Sequence, residues 1–106
     1  MSEVIQRIES EIKNNKIVIF MKGTPEAPRC GFSAATIEIL KTFPYPFKGV
    51  DILADPEVRE TLPDYSEWPT FPQIFIDGKL VGGCDIMHEL RDSGELAKLL
   101  KDTFGK

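Results

Sequence analysis

The chain has 106 residues, which suits one compact domain, and its 42% hydrophobic and 28% charged residues are typical of a globular protein. Its 17 acidic and 13 basic residues give a net charge of −4. Because proteins that bind the phosphate backbone of nucleic acids carry an excess of Lys and Arg, nucleic-acid binding is not expected. The longest apolar run, 17–21, is far shorter than the ~20 residues of a membrane-spanning helix, so no membrane segment is expected. Two cysteines and an N-terminus unlike a signal peptide predict a reducing, cytoplasmic compartment.

The hydrophobic pattern of the first half predicts a β-α-β unit that follows an N-terminal helix. Apolar residues at helical spacing flank one unbroken apolar run, which is the pattern of a strand buried on both faces. The expected elements are a helix over 3–14, a strand over 17–21, a loop over 23–29, a helix from Cys30 that stops before Pro44, and a strand over 47–52.

The second half predicts a third helix, a hairpin and a last helical region. Asp55-Pro56-Glu57 is typical of a helix start, with an N-cap followed by proline and an acid in the first turn, and Pro63 is expected to end or kink this helix early. The remaining expected elements are strands over 73–76 and 79–81 joined by the turn Asp77-Gly78, and a helical region from about Asp85 that is broken near Gly94. The predicted fold class is therefore α/β, a four-stranded mixed sheet with helices on both faces.

Cys30 lies at the junction between the first strand and its helix, which is where ligands of open α/β sheets gather. The unpaired N–H groups and the positive dipole end of a helix start favour a thiolate, and Lys22 and Arg29 add positive charge nearby. Because Ser33 stands where a C-x-x-C motif has its second cysteine, no resolving thiol is available three residues on. Cys30 is thus expected to exchange with a small thiol or to bind iron.

Four blocks of sequence resemble the monothiol glutaredoxins, the class with a CGFS motif and a thioredoxin-like fold. In chain order they are Met21-Lys22-Gly23-Thr24-Pro25, Cys30-Gly31-Phe32-Ser33, Trp68-Pro69-Thr70-Phe71-Pro72-Gln73 and Gly82-Gly83-Cys84-Asp85. The resemblance extends from Val18 to about Leu100 and implies that residues 1–106 form a single glutaredoxin domain.

The resemblance also implies a binding site for the thiol tripeptide glutathione, with its sulfur beside Cys30. Lys22 and Arg59 match residues that hold the glycine carboxylate of glutathione. Phe71, before a proline that is cis in the family, matches a residue whose backbone pairs with the cysteinyl unit. The N–H groups of Cys84 and Asp85 match those that hold the γ-glutamyl carboxylate, and the Asp85 carboxylate is expected to bind the ammonium group.

The function that the resemblance implies is the carriage of a 2Fe–2S cluster. Such a cluster usually needs four terminal ligands, so one chain is insufficient, whereas Cys30 from two chains and two glutathione sulfurs complete the set in a homodimer. The expected role is cluster transfer to iron–sulfur client proteins and iron homeostasis, with a BolA-like protein as a further partner. Two alternatives stay open: a weak glutathione-dependent thiol–disulfide oxidoreductase, and a BolA-binding adaptor.

Several residues near these motifs also have plain structural interpretations. Ser33 is expected to act as a hydrogen-bond acceptor at the helix start, and His88 as a surface or core residue and not as a metal ligand. Cys84 either contributes only its backbone N–H or forms a disulfide with Cys30 when glutathione and cluster are absent. Four phenylalanines are expected to serve mostly in packing: Phe32, Phe43, Phe71 and Phe75.

Overall fold

The computed structural model describes residues 2–105, and within them the chain forms five helices and four strands. In chain order these are α1 (Glu3–Asn14), β1 (Ile17–Met21), α2 (Gly31–Lys41), β2 (Lys48–Asp51), α3 (Pro56–Ser66), β3 (Gln73–Ile76), β4 (Lys79–Gly82), α4 (Cys84–Ser93) and α5 (Glu95–Phe104). The order and type of the predicted elements are confirmed. The last helical region divides into two helices at Gly94, and β2 is shorter at both ends than the predicted strand.

The four strands form one mixed sheet with the order β2-β1-β3-β4. β1 is parallel to β2 and antiparallel to β3, and β3 is antiparallel to β4. The β3–β4 turn is Asp77-Gly78, and both residues have positive φ angles, as a tight type I′ hairpin turn requires. The β1-α2-β2 unit and the β3-β4-α4 unit therefore meet at the centre of the sheet.

Two hydrophobic cores lie on the two faces of the sheet, and the alternating side chains of β1 contribute to both. Ile19 and Met21 pack into the core that α2, α4 and α5 cover, whereas Val18 and Phe20 pack into the core beneath α1 and α3. All five residues of β1 are buried, which explains its unbroken apolar sequence. The prediction of helices on both faces is confirmed.

The expectation that Pro63 ends α3 early is wrong, because the helix continues for three residues beyond it, to Ser66. A proline inside a helix removes one backbone hydrogen bond, here from position 63 to the Arg59 carbonyl. Arg59 is exposed, so water can satisfy that carbonyl, while Leu62 is fully buried and anchors this part of the helix in the core. Tertiary packing thus outweighs the local cost of the proline.

No helix within residues 2–105 has both the length and the apolar character that crossing a bilayer requires.

Candidate functional site

A groove of about 700 Å³ opens at the end of the sheet where β1 leads into α2 and β4 leads into α4. It is lined by all six residues that the sequence predicted for a glutathione site: Lys22, Cys30, Arg59, Phe71, Cys84 and Asp85. These residues come from five separate segments of the chain. The fold therefore brings together the whole predicted set in one cavity.

Cys30 is the N-cap of α2 and is partly exposed at the groove. As a neutral thiol it makes no capping hydrogen bond, but a thiolate at this position faces N–H groups of the first helical turn. The backbone N–H of Ser33 is the largest influence that lowers the pKa of the Cys30 thiol below its ordinary value. Burial opposes this shift of the pKa, while the Phe32 N–H, the positive charge of Lys22 and the Ser33 hydroxyl add to it. The start of α2 thus favours the thiolate form of Cys30, which is the form in which a cysteine exchanges with disulfides or binds metals.

The backbone around Lys22 is held by hydrogen bonds on both sides. The Lys22 N–H donates to Ser33 Oγ at 3.2 Å, and the Lys22 carbonyl accepts from the Arg29 N–H at 2.9 Å. The next residue, Gly23, donates its N–H to Asp51 Oδ1 at 2.9 Å. The sequence did not predict this role of Asp51, although a single acidic residue at the end of a predicted strand could have indicated a hydrogen-bond acceptor there.

The loop over residues 23–29 rests against the edge strand β2. A Cβ atom at Gly49 would lie 2.5 Å from Pro25 Cγ and 2.6 Å from Pro25 Cδ, which is closer than two carbons can approach. Gly49 therefore leaves the space that the Pro25 ring occupies. The loop is seated on the sheet through this contact as well as through Asp51, and the two residues on the sheet side, Gly49 and Asp51, lie outside the sequence motifs.

The opposite wall of the groove is the segment from Trp68 to Pro72, which includes a cis peptide bond between Phe71 and Pro72. Gln73 is fully buried, and its Nε2 atom donates to the Trp68 carbonyl at 2.8 Å, which fixes the start of this wall. At Gly83, a Cβ atom would lie 3.3 Å from the Pro72 carbonyl oxygen and 3.5 Å from Trp68 Nε1. The absence of a side chain at Gly83 thus lets the start of α4 pack closely against this wall.

The N-terminus of α4 lines the same groove, and the backbone N–H groups of its first turn have no partner within the helix. Gly83 is the N-cap and supplies no side-chain hydrogen bond, and the first intrahelical bond recorded runs from the Met87 N–H to the Gly83 carbonyl. The N–H groups of Cys84 and Asp85 are therefore available to an anion, as is usual at a helix start. The Cys84 side chain is buried, whereas Asp85 is exposed.

Arg59 and Pro63 bring α3 into the groove as neighbours one turn apart on the helix. Because α3 runs on beyond Pro63, this face of the helix stays ordered up to the Trp68 segment. Arg59 is exposed and its guanidinium adds a second cationic side chain, with Lys22, to the lining. The groove thus combines two cations, a helix N-terminus, an acid at Asp85 and the free thiol of Cys30.

A second groove, of about 440 Å³, lies on the other side of Cys30 between the starts of α2 and α4. Phe32 lines it and is 63% exposed, so the expectation that Phe32 mostly packs is wrong. The physical reason is its position on the outward side of the first turn of α2, where no other element covers it. His88, partly buried, lines this groove too, and residues 2–105 contain no group of three or more His, Cys, Asp or Glu side chains able to hold a metal ion.

Comparison with known proteins agrees with the fold and the cysteine motif. The glutaredoxin family profile matches residues 17–81. The probable monothiol glutaredoxin 2 of Rickettsia felis is 56% identical over 94 residues, which are 89% of this chain and 90% of that protein. Glutaredoxin 4 of Escherichia coli K12 is 48% identical over 106 residues, which are 100% of this chain and 92% of that protein. The chain belongs to the glutaredoxin family.

Structural comparison leads to the same class. The solution structure of reduced poplar apo GrxS14 is 42% identical, with a TM-score of 0.84 over 97% of this chain and 94% of that one. The holo form of glutaredoxin C1 from Populus tremula x tremuloides is only 24% identical but has a TM-score of 0.86, so it shares the fold. With one thiol in Cys30-Gly31-Phe32-Ser33 and relatives named monothiol glutaredoxins, the chain is a monothiol member with the thioredoxin-like fold.

Proposed function

We propose that residues 1–106 act as a single glutaredoxin domain in the cytoplasm that binds glutathione and carries a labile 2Fe–2S cluster between two copies of the chain. The observation that carries this proposal is the groove that gathers Cys30, two cationic side chains and the free N–H groups of α4. Each of these features complements a different part of one small anionic thiol. Cluster delivery to client proteins and a role in iron homeostasis follow from the lability of a cluster held partly by a diffusible ligand.

Electrostatics supports glutathione as the ligand of the groove. The whole chain carries a net charge of −4, so an anionic peptide is attracted only by local cations at short range. Lys22 and Arg59 bind the glycine carboxylate, and the α4 N–H groups of Cys84 and Asp85 bind the γ-glutamyl carboxylate. The Asp85 carboxylate pairs with the ligand ammonium group. The Phe71 backbone then pairs with the cysteinyl unit, which brings the ligand sulfur to Cys30.

The donor set of the described residues supports a cluster shared between chains. The chain has two cysteines, of which Cys30 is accessible at the groove and Cys84 is buried beside the α4 start. One accessible thiolate cannot complete four terminal ligands, whereas two Cys30 thiolates and two glutathione thiolates do. The lowered pKa of Cys30 favours the thiolate that iron requires. The cluster is cargo in this proposal, and the protein supplies a thiolate and positions the glutathione.

The second groove supports an approach to Cys30 by another protein. It shares Cys30, Phe32, Cys84 and Asp85 with the glutathione groove, so Cys30 lines both cavities. The exposed Phe32 ring provides apolar surface beside the thiol. A second copy of the chain occupies this side in the cluster-loaded homodimer, and a BolA-like protein or a client takes the place of that copy in transfer.

The lowered pKa of Cys30 also favours a second function, a slow monothiol exchange on glutathionylated proteins. The Cys30 thiolate attacks the glutathione sulfur of a protein–glutathione disulfide, so that the protein thiolate leaves and Cys30 becomes glutathionylated. A free glutathione thiolate then attacks this disulfide, releasing oxidised glutathione and restoring the Cys30 thiolate. Ser33 cannot replace glutathione in the second step because its hydroxyl is not a comparable nucleophile.

Anaerobic reconstitution with iron, sulfide and glutathione tests the cluster proposal. Visible absorption of the cluster should appear together with a dimer on sizing, whereas the apo protein should be a monomer. Cys30→Ser should abolish both signals. The matched control is Cys84→Ala, which should retain them. Wild-type loading without any added thiol, or full loading of Cys30→Ser, would contradict the proposed ligand set.

A further inference from the structure

Pro63 lies inside α3, lines the groove, and has no backbone N–H to donate to the preceding turn of the helix. In a regular helix this N–H pairs with the carbonyl four residues earlier, which here belongs to Arg59. The helix continues to Ser66 in spite of this gap, because Val58 and Leu62 are buried in the core on its inner face. The Arg59 carbonyl is therefore left without the N–H that would pair with it in an unbroken helix.

The unpaired Arg59 carbonyl lies on the side of α3 that borders the groove. A helical carbonyl points along the helix toward the residue four positions on, and both Arg59 and Pro63 line the groove. A proline ring also collides with the carbonyl four residues before it, and this collision bends the helix and turns that carbonyl outward. The wall of the groove thus carries a strong backbone acceptor next to the cationic Arg59 side chain, and such an acceptor favours a ligand that brings a donor.

We propose that the Arg59 carbonyl accepts a hydrogen bond from the glycine N–H of glutathione, with Pro63 as the positioning residue that keeps this acceptor free. The inference rests on the proposed function, in which the Arg59 guanidinium binds the glycine carboxylate. A single carbon atom separates the glycine N–H from that carboxylate, so a ligand held by the guanidinium brings this donor close to the carbonyl of the same residue. Arg59 then contacts the ligand through side chain and backbone, and the groove distinguishes a peptide bond at this position from an ester.

Glutathione and its ester analogue, in which glycolate replaces glycine, test this bond because an ester oxygen stands in the analogue where glutathione has the N–H. Calorimetric titration of the reduced apo protein gives the affinity for each ligand. The wild-type protein should bind glutathione roughly three- to tenfold more tightly than the ester, which corresponds to one hydrogen bond. Pro63→Ala supplies an N–H that pairs with the Arg59 carbonyl, so it should bind glutathione more weakly by a similar factor and lose most of the preference over the ester. Comparing two ligands on two proteins isolates this bond from the other properties of the ester.

Weaker binding by Pro63→Ala would not reflect damage to the fold, because alanine is the better helix former and circular dichroism verifies that α3 is intact. The matched control is Thr61→Ala, on the same helix but outside the groove lining, which changes helix propensity and leaves the Arg59 carbonyl as it is. It should keep both affinities. Equal ligand preference in the wild type and Pro63→Ala, or the same loss of preference in Thr61→Ala, would overturn this inference and leave glutathione binding intact. A wild-type protein that binds neither ligand would contradict the proposed function and the inference together.

Discussion

Asp51 Oδ1 accepts the Gly23 N–H at 2.9 Å and so ties the end of β2 to the residue that follows Lys22. The same oxygen accepts the Leu53 N–H at 2.9 Å. One carboxylate therefore orders the start of the loop over residues 23–29 and the turn after β2. Lys22 owes its position to this contact on one side and to Ser33 on the other.

Asp51→Ala should destabilise the protein by about 1–3 kcal/mol, because two backbone N–H groups lose a charged acceptor. Asp51→Asn should cost less, since its amide oxygen can still accept. Urea unfolding followed by circular dichroism measures the change. The control is Asp102→Ala on the exposed side of α5, which should leave stability nearly unchanged. Equal stability of Asp51→Ala and the control would remove Asp51 from the loop anchor.

Gly49→Ala should be destabilising by about 1–3 kcal/mol, because the new Cβ overlaps the Pro25 ring and forces the loop or β2 to move. Pro25→Ala removes the two ring atoms involved, so the double variant should recover most of the loss. The free energies of unfolding of the four proteins in this cycle measure the coupling. Additive effects of the two substitutions would show that the loop does not rest on Gly49.

Lys22→Glu should weaken glutathione binding roughly ten- to hundredfold, because it replaces a charge-assisted hydrogen bond by repulsion from the ligand carboxylate. Asp85→Lys should weaken binding in the same way at the ammonium end of the ligand. Calorimetric titration gives the affinities, and circular dichroism verifies the fold. Lys41→Glu, in the last turn of α2 and away from the groove lining, is the control. Unchanged affinity in a folded variant would exclude that residue from the site.

Pro63→Ala should raise the free energy of unfolding by about 1–2 kcal/mol, because alanine restores a helical N–H and the gain exceeds the unfolded-state advantage of proline. The restored donor is expected to pair with the Arg59 carbonyl four residues earlier, as in a regular helix. Thermal unfolding measures the change, and Pro44→Ala, in the exposed segment after α2, is the comparison. A stability gain in Pro44→Ala of the same size would show that the effect is not specific to the helix.

Oxidised glutathione should convert the apo protein to a form with a Cys30–Cys84 disulfide. Cys30 thiolate first displaces one glutathione, and the Cys84 thiolate, its proton lost to solvent, then attacks Cys30 and displaces the second. Both cysteines are free in the structure and line the same two grooves. Mass spectrometry of the non-reduced protein distinguishes the products. Cys30 found only as a glutathione adduct, with Cys84 unmodified, would leave Cys84 with its backbone role alone.

The site was predictable from sequence to the extent that its residues lie in short motifs. Cys30, Lys22, Phe71, Cys84 and Asp85 belong to such motifs, and Arg59 was added by resemblance; all six line one groove, although their roles toward glutathione stay predictions. The residues that hold these six in place were not predicted. Asp51, Gly49 and Gln73 act through partners between five and 28 positions away, and no local pattern specifies such partners.

The sequence by itself determined the element order, the strand buried on both faces, the helix start at Asp55 and the turn at Asp77, because each depends on the pattern of a few neighbouring residues. Only the tertiary structure decided that α3 continues past Pro63, that Phe32 is exposed, and that the Ser33 hydroxyl accepts the Lys22 N–H. Those outcomes depend on which segments the sheet brings side by side. The burial of Leu62 in the core outweighs the free-energy cost of the proline inside α3. The end of β1 lies close to the start of α2, and this closeness gives the Ser33 hydroxyl its partner, the Lys22 N–H.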